Sequence, residues 1–287
     1  MSLSSDRSAF ELVWASLRHS PNLLAGSLML LPILICAIFV PWLTPFDPIA
    51  VDVQARLLPP SLVHLFGTDE LGRDLFSRVL YGTRASLLVA IGIVSIATIA
   101  GTIVGTFSGY LGGKTDSLIM RIVDVMMAIP FMVIALALTS ALGPSLVNLV
   151  LAIGILSIPF YARMARGLAL TLRTQPYVLS AWTMGASSTF IVRRHIIPNM
   201  VSSMIVLASM GMSGAILTSS ALSFIGLGAQ PPMAELGAII SGSRSYILDE
   251  WWYTLFPGLL LVVAAFGFNL VGDGLRDILD PNNEAKK

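Results

Sequence analysis

Long apolar stretches separated by short polar ones dominate the pattern of the chain. Most of these stretches approach or exceed the roughly 20 residues that an α-helix needs to cross the hydrocarbon core of a bilayer. The pattern therefore predicts about six transmembrane helices. Five of them cover residues 23–43, 86–110, 118–142, 146–161 and 200–222, and the last begins at 251–253 and ends between 269 and 280.

The composition supports the same interpretation. Hydrophobic residues make up 55% of the 287 residues and charged residues only 11%, a balance that ordinary soluble domains do not reach. The sequence thus predicts an all-α integral membrane protein. The net charge of +1 gives no indication of nucleic-acid binding. Because Cys36 is the single cysteine, the chain forms no internal disulfide and no cysteine metal cluster.

The distribution of lysine and arginine predicts the orientation in the membrane. With six spans and both ends of the chain in the cytoplasm, the inner segments hold twelve basic residues and the outer loops hold five. The inner group comprises Arg7, Arg18, Lys114, Arg121, Arg163, Arg166, Arg173, Arg193, Arg194, Arg276, Lys286 and Lys287. Since cytoplasmic loops carry the excess of positive charge, this orientation is favoured over its opposite.

Two segments outside the spans have helical periodicity of their own. Residues 8–18 place apolar side chains on one face and predict a helix on the cytoplasmic membrane surface. In the outer segment 44–85, Thr68 can cap a short helix whose first turn holds Asp69 and Glu70. We expect this second helix to lie flat on the outer membrane surface, and a solvated loop helix is the alternative.

The last outer segment also has a pattern. Residues 226–232 are rich in glycine and proline and predict a turn, which a short segment near 235–248 follows. Trp251, Trp252 and Tyr253 then predict an aromatic belt at the membrane interface, where the sixth span begins.

Small residues in two spans predict close helix contacts. Gly101, Gly105 and Gly109 are spaced by four, which places all three on one face of a helix. The span at 200–222 combines small residues with methionines, so it either packs closely or lines a pathway, and packing is the simpler alternative. Its candidate lining residues are Met204, Ala208, Gly211, Met212, Ala215 and Ser219.

Asp124 lies inside the third predicted span, near its cytoplasmic end. A carboxylate in a membrane is costly, so this residue either has a function or has an interfacial partner. We expect an ion pair with Arg121, which lies about one helical turn away.

Residues 174–199 form the longest polar interruption of the C-terminal half. Thr174 can cap a helix, Pro176 suits the first turn and Gly185 suits a left-handed exit, so a short helix with defined ends is predicted. The basic residues 193–195 favour the cytoplasmic side. We interpret the segment as a docking platform for a soluble partner, and an ordinary basic connector is the alternative.

The sequence carries no recognisable catalytic or metal-binding motif. Gly113-Lys114-Thr115 resembles the end of a phosphate-binding loop, but a membrane helix precedes it where that motif needs a strand. His19, His64 and His195 are scattered and match no metal-binding or catalytic spacing. No catalytic residue, metal site or cofactor is therefore assigned, and a partner is expected to supply energy. A secondary carrier and a non-transporting scaffold are the rival classes.

Three stretches of the chain are similar to one known family. Residues 66–87 contain Gly67-Thr-Asp-Glu-Leu-Gly-Arg-Asp-Leu-Phe-Ser-Arg78, which matches the family signature G-T-D-x-x-G-R-D-x-x-S-R in full. Residues 222–232 and 268–281 are similar to two further family stretches. From about residue 10 to 281, the chain resembles the C-type permease subunit of bacterial ABC importers for dipeptides, oligopeptides and nickel.

The resemblance implies a type I ABC importer transmembrane subunit with a coupling helix before the fifth span. In that family, an E-A-A…G motif in this helix inserts into a groove on the ATPase subunit. Here the implied ATPase-coupling residues are Pro176, Tyr177, Val178, Leu179, Ser180, Ala181, Gly185, Ala186, Ser187 and His195. Leu179 stands where the motif has its glutamate, and Ser180 replaces the first alanine. An apolar contact through Leu179 is therefore left open in place of a charged one.

The resemblance also implies an assembly in the plasma (inner) membrane of a bacterium. Its other members are a second homologous permease, two ABC ATPase subunits that bind ATP and magnesium, and an extracytoplasmic solute-binding protein. Residues 1–85 would hold the interfacial helix, the first span and the outer loop, residues 86–281 the permease domain, and residues 282–287 a short cytoplasmic tail. Peptides are the implied substrates, and nickel, glutathione-like peptides, opines and sugars are left open.

Overall fold

A computed structural model describes residues 20–279, and the helix predicted at 8–18 lies outside these residues. Within them the chain is helical and forms no β-strand. Five helices are long and apolar enough to cross a membrane, or six spans if one bent pair is counted as a span. The predicted all-α membrane fold is confirmed. The helices are α1 (Pro21–Ile38), α2 (Val40–Leu43), α3 (Leu75–Leu111), α4 (Gly113–Ala128), α5 (Phe131–Leu142), α6 (Leu146–Leu172), α7 (Pro176–Thr183), α8 (Ser188–Phe224), α9 (Leu236–Gly242) and α10 (Trp251–Leu279).

The first predicted span consists of two helices. α1 begins after Ser20, whose hydroxyl accepts a hydrogen bond from the Leu23 amide at 3.4 Å. It ends before Phe39, and the single turn α2 follows. Because Pro41 has no N–H to continue the hydrogen bonds of α1, it lies instead in the first turn of a new helix, where that N–H is not needed.

The outer segment differs most from its prediction. Thr68 does not cap a surface helix, since α3 begins only at Leu75, with the Asp74 carboxylate as its cap, and runs without a break to Leu111. The Thr68 hydroxyl instead donates to a loop carbonyl. Gly72 has a φ of 73°, a left-handed geometry that interrupts any helix begun at Thr68. The predicted separate helix is therefore wrong, and the residues from Leu75 onward belong to the long helix α3.

The third predicted span is broken in the middle. α4 and α5 meet at an angle of 87°. Pro130 lacks an N–H and disfavours helical geometry at Ile129, whose φ and ψ of −90° and 137° are extended. The third predicted span, 118–142, is therefore a bent pair of helices and not one straight helix, and we call residues 126–131 the elbow.

α6 and α8 are both longer than predicted, and the longer α8 includes the basic residues 193–195. α6 continues past Tyr161 to Leu172, and α8 begins at Ser188. Residues 193–195 therefore lie in a helix and not in a loop. This part of α8 is a π-helical turn, in which the Ile197 amide donates to the Val192 carbonyl, directly before a proline that has no N–H of its own.

Glycines permit close contacts between several of the described helices. α3 packs along α6, and a Cβ atom at Gly101, Gly105 or Gly109 would come too close to atoms of α6. At Gly105 the overlapping atom is the carbonyl oxygen of Ala162. α1 approaches α10 in the same way through Gly26. Close backbone approach of this kind is how helices gain packing contacts inside a membrane.

The last outer segment agrees with its prediction except for the aromatic residues. A turn at 226–232 leads to α9 and to a short 3₁₀ segment, Ser243–Tyr246. Trp251 is exposed as an interfacial residue should be, but Trp252 and Tyr253 are buried in the core. The predicted belt therefore applies to Trp251 alone.

Candidate functional site

A cavity of about 510 Å³ lies beside the elbow, between α3, α6 and α8. Its lining is mainly apolar, and the described residues that line it carry no charge. Ser157, Tyr161 and Thr218 contribute hydroxyl groups. Such a chamber has no fixed charge with which to bind a solute tightly.

Two of the six candidate pathway residues, Gly211 and Ala215, line this cavity from α8. The others are buried or partly buried in the protein interior: Met204, Ala208, Met212 and Ser219. A Cβ atom at Gly211 would overlap the Tyr161 hydroxyl, so this glycine leaves the space that the tyrosine occupies. Tyr161 was not among the candidates, although a hydroxyl-bearing aromatic residue at the end of a predicted span is a signal that the sequence contains.

Two ion pairs fasten α4 to α6. The Arg166 guanidinium donates from Nε and Nη2 to the two carboxylate oxygens of Asp116, each at 2.6 Å, and the Ser108 hydroxyl donates to the same carboxylate. Arg163 Nη2 lies 2.5 Å from Asp124 Oδ1. The partner of Asp124 is therefore Arg163, not the predicted Arg121. Sequence spacing does not reveal it because the fold brings the two groups together from 39 positions apart.

The platform contains the predicted short helix, α7, with one difference at its start. Pro176 occupies the first turn, and Gly185 has a φ of 83°, the left-handed exit. Thr174 does not cap the helix: Gln175 precedes it, and the Thr174 hydroxyl donates to the Thr171 carbonyl. Ser187 then accepts a hydrogen bond from the Phe190 amide and caps α8.

The two faces of α7 have different surroundings. Val178 and Ala181 are buried against the start of α8. Leu179, Trp182 and Met184 are 49%, 67% and 80% exposed. Apolar side chains so exposed next to polar and basic residues are typical of a surface that meets a partner.

The other coupling candidates lie close to these faces. His195 on α8 lies between two aromatic rings, those of Tyr177 and Phe190, with centroid distances of 6.1 and 5.9 Å. Ala186 packs against the cluster that holds α7 to α8, and Ser180 is exposed. All ten coupling candidates thus belong to α7, its exit or the first turns of α8.

Buried charges join the helices at the outer surface. The fully buried carboxylate of Asp69 accepts a hydrogen bond from Arg73 Nε at 2.6 Å and lies 3.1 Å from Arg78 Nε. Glu70 accepts from Arg73 Nη2 at 3.2 Å and from the Tyr253 hydroxyl of α10. This network, formed largely by residues of the 67–78 stretch, ties the start of α3 to the start of α10.

These features define the class of the protein. Membrane-spanning helices surround an apolar cavity, and a helix with exposed apolar side chains projects from the ends that the charge distribution places in the cytoplasm. This is the architecture of a membrane transport subunit that meets a cytoplasmic partner.

The chain belongs to the family described as the binding-protein-dependent transport system inner membrane component, whose members are permease subunits of ABC importers. The family pattern matches residues 101–284. A second pattern, the N-terminal TM domain of oligopeptide transport permease C, matches residues 8–60. The predicted resemblance is thereby confirmed, and the chain is a multi-pass permease subunit of the bacterial inner membrane.

Several relatives match almost the whole chain. It is 50% identical over 277 residues to the probable D,D-dipeptide transport system permease protein DdpC of Escherichia coli, covering 96% of this chain and 93% of that protein. It is 40% identical over 274 residues to the di/tripeptide transport system permease protein DppC of Pseudomonas aeruginosa, with coverages of 93% and 90%. It is 41% identical over 269 residues to the glutathione transport system permease protein GsiD of Pectobacterium atrosepticum, with coverages of 93% and 89%.

Proposed function

We propose that this chain forms half of the translocation pathway of an ATP-driven importer for dipeptides and short oligopeptides. A second homologous permease completes the pathway, two ABC ATPase subunits bind ATP and magnesium, and an extracytoplasmic protein delivers the solute. This chain itself hydrolyses nothing. The names of its relatives, which include D,D-dipeptide and di/tripeptide permeases, support the substrate class.

The alternative substrate is a glutathione-like solute carried by the same machinery. It is supported by the glutathione permease relative, which is about as similar to this chain as the di/tripeptide relative is. The lining of the cavity does not distinguish the two classes, because both are peptides with free ammonium and carboxylate groups and the lining residues carry no charge. Selection between them would then reside in the solute-binding protein. Nickel or another non-peptide solute is the remaining alternative.

The exposed face of α7 is the observation on which the mechanism rests. Leu179, Trp182 and Met184 are available to a groove on the ATPase, while Val178 and Ala181 fix α7 to α8. Closure of the ATPase pair would therefore move α7 and the start of α8 together. Because α8 also lines the cavity, this movement would open the cavity alternately to the two sides of the membrane.

Reconstitution tests the proposal. The tagged chain is purified with the ATPases, the second permease and the binding protein encoded beside it, and the complex is placed in proteoliposomes. We expect ATP-dependent accumulation of a labelled di- or tripeptide, competed by unlabelled peptide. Uptake that a proton gradient drives without ATP would support a secondary carrier, and purification without any ATPase would support a scaffold. Uptake of glutathione or nickel but no peptide would overturn the substrate class.

A further inference from the structure

α4 contacts one short section of α6 through two ion pairs. Its two carboxylates, Asp116 and Asp124, contact Arg166 and Arg163, which are close neighbours on α6. At 1.5 Å per residue, the two carboxylates are about 12 Å apart along α4, whereas the two arginines are only about 4.5 Å apart along α6. α4 therefore has two separate contact points with one short section of α6, one near each of its ends.

The exposed surface of α4 combines apolar and basic side chains. Leu118, Ile122 and Val125 are exposed and form one stripe along the helix. Lys114 and Arg121 are exposed on the adjacent stripe. The exposed surface of α4 thus presents apolar and basic side chains next to each other.

The two contact points differ in strength. Asp116 receives two hydrogen bonds from Arg166 and one from Ser108, and its side chain is 13% exposed. Asp124 and Arg163 share one hydrogen bond, and their side chains are 64% and 48% exposed. Bidentate pairs hold their geometry, whereas single exposed pairs contribute little to stability and open easily. The Asp116 contact is thus the firm one, and the Asp124 contact is the one that can release.

The weak contact lies next to the cavity. The elbow, which begins two residues after Asp124, forms one wall of the cavity from Met126 to Phe131. A rotation of α4 about its firm contact would displace this wall. α6, which carries both arginines, ends at Leu172, four residues before Pro176 and the start of α7. The arginines are therefore on the helix that leads directly to the exposed coupling surface.

We propose that α4 is a lever that links the coupling helix to the cavity wall. Asp116 and Arg166 form its pivot, and Asp124 is a positioning residue whose contact with Arg163 holds the elbow in place. Movement of α7 reaches α6, changes the distance between Arg163 and Asp124, and shifts the elbow. The driving movement rests on the proposed function, whereas the control of the elbow by Asp124 is a property of this chain.

Cysteine accessibility in the complete complex tests the lever. In a Cys36→Ser background, Ala128→Cys places a thiol in the elbow, and its rate of modification by a small methanethiosulfonate reagent is measured in membrane vesicles. We expect Asp124→Asn to change this rate by about fivefold, a shift that the loss of one exposed ion pair can cause. Exchange of the charges, Asp124→Arg with Arg163→Asp, should bring the rate back toward the original value. Arg121→Gln, on the same helix, is the matched control and should leave the rate unchanged.

Two results would overturn the lever: equal rates with and without Asp124→Asn, or a charge exchange that fails to restore the rate. The assay needs no transport, so it separates this inference from the proposed function. Normal ATP-dependent uptake with an elbow that does not respond to Asp124 would reject the lever alone. A responding elbow in a complex that takes up no peptide would reject the proposed substrate and keep the lever.

Discussion

The Glu235 carboxylate accepts a hydrogen bond from the Ser86 hydroxyl at 2.8 Å, joining the start of α9 to α3 across 149 positions of sequence. Both side chains are buried, and the second carboxylate oxygen accepts from the Ala238 amide at 3.0 Å. Glu235→Leu should therefore destabilise the protein by about 1–3 kcal/mol, because a buried hydroxyl and a partly buried amide lose their acceptor. The midpoint of thermal unfolding of the purified complex in detergent measures this effect.

Glu235→Gln is the control for this contact. It keeps one oxygen acceptor and nearly the same shape, so its midpoint should lie between those of the original protein and Glu235→Leu. A leucine variant as stable as the original protein would mean that the buried carboxylate contributes nothing to the junction of α3 with α9.

The contact between α3 and α6 leads to a second prediction. Gly105→Ala adds a methyl group that overlaps the Ala162 carbonyl oxygen, so the helices must separate, at a cost of about 1–3 kcal/mol. The amount of folded protein after heating in detergent measures the loss. Gly167→Ala is the matched control: it is also a glycine in a long helix, but no neighbouring atom lies within 4 Å of the added carbon. Equal losses in the two variants would contradict the packing argument.

The exit of the coupling helix leads to a third prediction. Gly185 has a φ of 83°, and a β-branched residue there is strained by about 1–3 kcal/mol, which should displace α7 from its position. We expect Gly185→Val to lower the ratio of peptide transported to ATP hydrolysed while the protein still reaches the membrane. Measurement of uptake and ATP hydrolysis in the same proteoliposomes gives this ratio.

The outer turn supplies the control for that variant. Gly143 has a φ of 85° and, like Gly185, no atom within 4 Å of an added carbon. Gly143→Val therefore also carries backbone strain, since its φ and ψ of 85° and 154° lie in a region that essentially only glycine adopts, but on the opposite side of the membrane, and should leave the ratio unchanged. Normal coupling in Gly185→Val, or the same defect in both variants, would count against the coupling role of α7.

The cavity leads to a fourth prediction. Gly211→Leu places a large side chain in the cavity and forces the Tyr161 hydroxyl aside, so it should reduce the maximal rate of peptide uptake several-fold while ATP hydrolysis continues. Gly258→Leu on α10, where the added carbon meets no atom within 4 Å and the cavity is not touched, should have little effect. An unchanged uptake rate in Gly211→Leu would show that the solute passes elsewhere.

Hydropathy predicts the membrane fold well because a bilayer leaves the chain few choices. Backbone groups in hydrocarbon must be satisfied internally, so each long apolar stretch becomes a helix, and charge asymmetry then orients the set. The local signals of α7 were equally direct: Pro176 and Gly185 each have a conformational preference that acts without tertiary contacts. The transmembrane helices and the two ends of α7 could be predicted because they depend on local residue preferences and on the bilayer, and not on contacts between distant residues.

Competing local signals and distant contacts account for the errors. Thr68 and Asp74 are both good helix caps, and the left-handed Gly72 between them decides in favour of Asp74. Asp124 has a plausible partner one turn away, yet the fold supplies Arg163 from another helix. The cavity likewise depends on a break at Pro130 and on the meeting of several helices. The hydrophobic periodicity of a single segment does not show which residues of other helices will lie next to it.

α3 has 37 residues and no break, which makes it a rod about 55 Å long, against a hydrocarbon core of about 30 Å. A helix of this length that tilts as one rigid body moves both of its ends. A tilt of about 5° displaces its two tips by roughly 2.4 Å each, in opposite directions. Because α3 is unbroken, a rigid tilt that displaces its outer end also displaces its cytoplasmic end, so this one helix links the two faces of the membrane.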